Sequence, residues 1–162
     1  MEIYPVKAQY LKNEEVLIHM ELDGIPAEQV FITVYRLEQV AGELNFEDVT
    51  DNADLPIGSF SDDFAGYGVV ARVTSGGAST SLSTAFDVVD NPKRSLRYGF
   101  LSDFTAADKD NGAVETLRKY HINMVQFYDW SYRHDSLVSE EAEYTDMMGK
   151  RINAEAVRTK IR

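Results

Sequence analysis

A chain of 162 residues, 44% of them hydrophobic, has room for one ordinary domain or for a small domain and a piece of another. Its 16 basic residues against 27 acidic ones give a net charge of −11, and no window is basic enough to follow a phosphate backbone, which argues against nucleic-acid binding. The absence of cysteine excludes a disulfide framework and a thiolate metal site, and no apolar run nears the roughly 18 residues that span a bilayer. Met1-Glu-Ile-Tyr4 lacks the basic and apolar segments of a signal peptide, so either the protein is not exported or this is not its native start. The scattered acidic residues read as a solvated surface.

From Ile3 to about Val89 the hydrophobic period is two, in short pieces. Residues 16–22, 30–37, 55–60, 66–74 and 79–89 are rich in β-branched and aromatic residues, punctuated by Asp23-Gly24, Pro26 and Ser75-Gly-Gly-Ala78. Six or seven strands with regular turns and almost no helical period predict an immunoglobulin-like β-sandwich over residues 1–90. Its expected core is Leu17, Phe31, Val34, Val69, Ala71, Val73 and Phe86. Tyr4, Tyr10, Tyr35 and Tyr67 have the rings of a sugar-stacking face, but they do not cluster in sequence and read first as ordinary sheet residues. His19 alternates with Ile18 and Met20 as a solvent-facing strand residue, with no second His or Cys nearby to make a metal site.

Asp90-Asn-Pro-Lys-Arg-Ser95 is polar and holds a proline, which sets a linker at residues 91–96. Beyond it, residues 98–102 read as a strand, 105–109 as a loop, and a helix starts near Asp110 with Val114, Leu117 and Tyr120 on one apolar side. Residues 122–127 form a second strand, apolar enough to be covered on both faces, and 130–150 a long loop. A further helix opens at Asn153, with Ile152 and Val157 as a hydrophobic staple, Glu155 in the first turn, and Lys160 and Arg162 near the end. The pattern is one βαβ unit, whose strands run parallel with a right-handed crossover. Asp103 and the trio Tyr128, Asp129 and Trp130 then meet at one rim, where α/β folds place ligands. A complete (β/α)8 TIM barrel takes roughly 250 residues, so residues 97–162 are expected to be only its first βα units, and the chain to be multidomain.

Two carboxylates on neighbouring strands, about 4.8 Å apart in backbone spacing, approach the separation of about 5–5.5 Å used by retaining glycosidases. A rim carboxylate serves equally to bind a sugar hydroxyl, to pair with Arg97 or Arg133, or to cap a helix, so neither is assigned as catalytic. Tyr128, Trp130, Tyr132 and His134 offer stacking faces and neutral donors suited to a polyhydroxylated ligand, or else pack the long loop onto the rim. Asp129, His134 and Asp135 lie close in sequence, which alone is weak ground for a metal. There is no Ser-His-Asp arrangement, P-loop or GxGxxG. Asp103, Tyr128, Asp129, Trp130 and His134 are the substrate-binding candidates.

Arg97-Tyr-Gly-Phe-Leu-Ser-Asp-Phe104, Leu117-Arg-Lys-Tyr-His-Ile-Asn-Met-Val-Gln-Phe-Tyr-Asp-Trp130, Tyr132-Arg-His-Asp135 and Asp146-Met-Met-Gly149 together resemble the start of the catalytic barrel in family 66 of the glycoside hydrolases. That family holds dextranases and cycloisomaltooligosaccharide glucanotransferases. The resemblance implies an N-terminal immunoglobulin-like domain, a (β/α)8 barrel and a C-terminal β domain. It implies a secreted or cell-surface bacterial enzyme that cleaves or transfers α-1,6-glucosidic bonds of dextran with retention and without a cofactor. The family's nucleophilic Asp and acid/base Glu lie on later strands, so no catalytic residue transfers and these 162 residues alone are expected to be inactive. The alternatives are a carbohydrate-binding or structural sandwich module, and a barrel hydrolase acting on another α-glucan.

Overall fold

A computed structural model describes residues 1–162, which divide into two units, Met1–Leu96 and Arg97–Arg162. The fold is mostly β, with two α-helices, both in the second unit. Neither is long and apolar enough to cross a membrane.

The first unit contains β1 (Glu2–Pro5), β2 (Tyr10–Leu11), β3 (Glu15–Glu21), β4 (Ala27–Arg36), β5 (Gln39–Val49), β6 (Ala53–Ser59), β7 (Phe64–Ser75) and β8 (Ala78–Val89). They form a five-stranded sheet in the order β2-β8-β7-β4-β5 and a three-stranded sheet in the order β1-β3-β6. One hydrophobic cluster draws on both sheets: Val16, Ile18 and Met20 from β3, Leu55 and Ile57 from β6, Val30, Ile32 and Val34 from β4, and Val69, Ala71 and Val73 from β7. Side chains alternate faces along a strand, so the residues between these point away from the core.

That alternation corrects two expected core positions. Leu17 sits between Val16 and Ile18, and Phe31 between Val30 and Ile32, and both are only half-buried. Phe31 and Val34 are an odd number of residues apart and cannot share a face of a regular strand. Val34, Val69, Ala71, Val73 and Phe86 are buried as predicted. The sequence reading also passed over β5, which pairs with β4 along its length and places Leu44 and Phe46 against the core. Glu43 and Glu47 alternate with them on this edge strand, and edge charge of this kind discourages pairing with another chain.

Three of the four tyrosines are buried, so they do not make a stacking face. Tyr10 donates to the Leu17 carbonyl at 2.7 Å, Tyr4 donates to Glu21 at 2.5 Å, and Tyr67 donates to Asp62 while its ring stacks on Phe86 at 5.1 Å. His19 is half-buried, with Nδ1 2.5 Å from an Asp54 oxygen. Within the segment expected as a linker, Pro92–Arg94 form a 3-10 turn capped by Asn91, and Arg94 pairs with Asp90 at 2.9 Å and lies over the Phe64 ring.

The second unit contains β9 (Tyr98–Leu101), α1 (Gly112–Lys119), β10 (Met124–Phe127), β11 (Glu143–Thr145), β12 (Arg151–Asn153) and α2 (Ala154–Ile161). The sequence-predicted parallel pair is present: β9 and β10 run side by side in register from Tyr98 opposite Met124 to Leu101 opposite Phe127. The helix α1 between them ends through His121, whose φ of 61° is left-handed; Ile122 N–H reaches back to the Leu117 carbonyl and His121 N–H to that of Arg118. Asn123 then accepts the Arg97 N–H on its side chain at 2.9 Å, which starts the ladder.

Only one face of this ladder is covered, against the expectation of two. Leu101 is buried and Val125 and Phe127 pack on a cluster built from Phe104, Tyr144, Ile152, Ala156 and Val157, with the Phe104 and Phe127 rings stacked at 5.4 Å. Tyr98, Phe100 and Met124, on the other face, remain exposed, and so does Tyr120, placed by sequence on the apolar side of α1. Residues 130–150, read as a loop, contain β11, which forms an antiparallel hairpin with β12. Asn153 caps α2 as predicted, accepting from the N–H groups of Glu155 and Ala156 at 3.1 Å, with Ile152 and Val157 buried beside it. Lys160 reaches out of its own helix to the carbonyls of Asp108 and Asp110.

Two tests follow from this packing. Burial, then the neighbouring Asp62 carboxylate, pushes the Tyr67 phenol up to about 12. A phenol held neutral in the folded state stabilises fully below its unfolded value, near 10, and loses that contribution as pH rises towards about 12. Urea midpoints should therefore fall across that window, less steeply in Tyr67→Phe. A Cβ added at Gly99 would lie 2.9 Å from Ile122 Cγ2 and 3.4 Å from Leu117 Cδ2, so the covering residues cannot approach without displacement. Gly99→Ala is expected to destabilise the second unit by about 1–3 kcal/mol in denaturant titration.

Candidate functional site

The C-terminal ends of β9 and β10 lie on the same side of their ladder because the strands are parallel. Asp103 follows Leu101 by two residues and Asp129 follows Phe127 by two, and Leu101 and Phe127 are register partners. The two carboxylates therefore belong to equivalent positions at one end. The Tyr128 N–H extends the ladder by donating to the Leu101 carbonyl at 2.8 Å, and its half-exposed ring meets Phe100 edge to face at 6.2 Å.

Asp129 is exposed with φ of 51°, a left-handed conformation that Asp tolerates better than bulky residues. It turns the chain out of β10 immediately after Tyr128. Trp130 is half-buried and packs on the second core cluster, bordering a mainly apolar hollow of about 220 Å³ with Val138, Tyr144, Val157 and Ile161. Its carbonyl accepts the Tyr144 hydroxyl at 2.5 Å, and the Tyr144 and Tyr132 rings meet edge to face. Burial, followed by the nearby Asp146 charge, raises the Tyr144 phenol above its ordinary value and keeps it a donor. His134 and Asp135 are exposed at the tip of a turn closed by Tyr132 N–H to the Leu137 carbonyl and Arg133 N–H to that of Ser136.

Asp103, Tyr128 and Asp129 thus follow the same end of two neighbouring strands, Trp130 turns towards the core, and His134 stands on a separate turn. No group of three or more His, Asp or Glu residues is arranged to hold a metal ion. The arrangement supplies carboxylate acceptors and an aromatic face in water, which is chemistry for binding hydroxyl-rich ligands.

Sequence reasoning missed the hairpin that reaches this end. Asp146 is buried, and its Oδ1 accepts from Met148 N–H at 2.9 Å and from Lys150 N–H at 2.7 Å. The Lys150 ammonium in turn donates to the Ser102 carbonyl and to Asp103 Oδ1. The sequence signal for the turn was Asp146 followed at the fourth position by Gly149, whose φ is 84°.

Residues 6–162 match the family model described as glycosyl hydrolase family 66. The chain belongs to that family. Two cycloisomaltooligosaccharide glucanotransferases of Niallia circulans are similar to it. One is 32% identical over 110 residues, covering 62% of this chain and 11% of the relative. The other is 26% identical over 177 aligned positions, covering 98% of this chain and 18% of the relative. The family 66 chain thus spans less than a fifth of the length of either relative. Its candidate rim lies within the matched residues.

Asp146→Ala removes the acceptor of two backbone N–H groups and should destabilise the hairpin by about 1–3 kcal/mol. Faster amide exchange at residues 146–150 reads this directly, whereas Asp146→Asn, which keeps an oxygen at that position, should preserve most of the protection.

Proposed function

We propose that this chain is the N-terminal part of a secreted glycoside hydrolase acting on α-1,6-glucans such as dextran, by a retaining mechanism. In this reading the first unit is an immunoglobulin-like sandwich, and the second is the opening of a (β/α)8 barrel. The nucleophilic Asp and the acid/base Glu lie beyond residue 162, and no cofactor takes part. The observation that carries the reading is the parallel β9–β10 pair, whose C-terminal ends hold Asp103, Tyr128 and Asp129 inside the family-matched segment. The name of the two relatives, cycloisomaltooligosaccharide glucanotransferase, supports the glucan class.

Asp103, Tyr128 and Asp129 are assigned to the substrate side of the cleft, where carboxylates accept sugar hydroxyls and the ring lies against a pyranose face. Trp130 shapes the cleft from below through its packing, and His134, on the separate turn that follows, is a further candidate for sugar contact. A sugar-binding role for the sandwich has less support, since Tyr4, Tyr10 and Tyr67 are buried.

The test is proton NMR of the full-length protein acting on isomaltooligosaccharides. The α-anomer of the product should appear first; a β-anomer appearing first overturns retention, and no consumption of substrate overturns the glucan reading. The 162-residue chain alone should release no sugar. Asp129→Asn keeps a residue that accepts the left-handed backbone while removing the charge, and should lower kcat/KM about tenfold with little change in melting temperature. Unchanged turnover would reduce Asp129 to scaffolding.

A further inference from the structure

We infer that Lys150 is a positioning residue for Asp103, fixing that carboxylate to receive a hydroxyl of a neutral saccharide at the end of β9; this rests on the glucan reading above. The lysine starts from a fixed point. Its backbone N–H donates to the buried Asp146 carboxylate at 2.7 Å, and its carbonyl accepts the Asp146 N–H at 2.9 Å. From there the side chain, 36% exposed, crosses to β9 and makes two contacts with one ammonium group, the Ser102 carbonyl and Asp103 Oδ1 at 3.2 Å.

The contact to Ser102 locates the ammonium, and the contact to Asp103 uses that location to restrain the carboxylate. The Asp103 side chain remains 76% exposed, so its oxygens stay accessible to a ligand. A carboxylate on a free loop end loses rotational freedom when it captures a hydroxyl; one already tethered loses less, and the saving appears as affinity. The ligand class follows from the balance of charge. With an ammonium beside it, the carboxylate is a poor site for a second cation and still a strong acceptor for hydroxyl donors. An exposed ion pair of this kind contributes little to folding, which separates its effect on ligand from its effect on stability.

The experiment is steady-state kinetics of the full-length protein on isomaltooligosaccharides, with Lys150→Met, Lys150→Arg, Asp103→Asn and the double variant Lys150→Met/Asp103→Asn. Lys150→Met should raise KM about five- to tenfold with kcat nearly unchanged, and Lys150→Arg should recover most of the loss. The double variant should be no worse than Asp103→Asn alone, because the lysine acts through the carboxylate. An unchanged KM in Lys150→Met, or losses that add in the double variant, overturns the positioning role while leaving the glucan reading in place. A wild-type protein that neither binds nor consumes these sugars overturns both. A lower melting temperature with unaltered KM marks Lys150 as a purely structural latch and overturns the inference.

Discussion

The direction of one pair of strands constrains everything in the second unit. The ladder of β9 and β10 opens where Asn123 and Met124 donate to the Arg97 carbonyl at 3.2 Å and closes where Tyr128 donates to the Leu101 carbonyl at 2.8 Å. Had the strands paired antiparallel, the residues after Leu101 and after Phe127 would sit at opposite ends of the sheet. Parallel pairing demands a crossover, which α1 supplies, and close packing of that crossover on the sheet is why a glycine stands at position 99.

The segment after Asp129 then does two jobs that a loop of its length would not ordinarily do. It folds back as the β11–β12 hairpin to bring Tyr144 and Ile152 into the core beneath the strands. It also sends a lysine to the strand ends. The cost of ordering these residues is offset by buried apolar side chains and by the satisfied turn at Asp146, so the rim is part of a cooperative structure.

How much of this was legible in the sequence depended on the range of the interaction involved. Local signals were the readable ones: Asn153 announced its cap, and the nearly continuous apolar run at 122–127, broken by Asn123 and Gln126, announced the strand Met124–Phe127. Parity failed where neighbouring positions were both apolar, since in Val16-Leu17-Ile18 and Val30-Phe31-Ile32 composition does not say which alternate set faces inward. The edge strand β5 was masked by its own charges. The hairpin strands, three residues each, are too short for any period to register. Asp103, Tyr128 and Asp129 were readable as candidates because they follow strands directly, whereas Lys150 lies 47 residues from its partner and nothing in the intervening chain foretells the contact. For Trp130 the sequence left ligand contact and loop packing equally open, and the structure adds that it packs on the second core cluster.

The uncovered side of the β9–β10 ladder carries Tyr98, Phe100 and Met124, with Tyr98 and Phe100 meeting edge to face at 5.2 Å and Tyr98 bonded across to Gln126. Water is a poor solvent for such a surface, and a short ribbon wetted there gains nothing from the hydrophobic effect on that side. Taken as these 162 residues, the molecule sets a greasy strip, which draws copies together, against an excess of eleven negative charges, which keeps them apart. Added salt weakens the second and not the first, so ionic strength becomes the variable that decides whether the molecules remain dispersed.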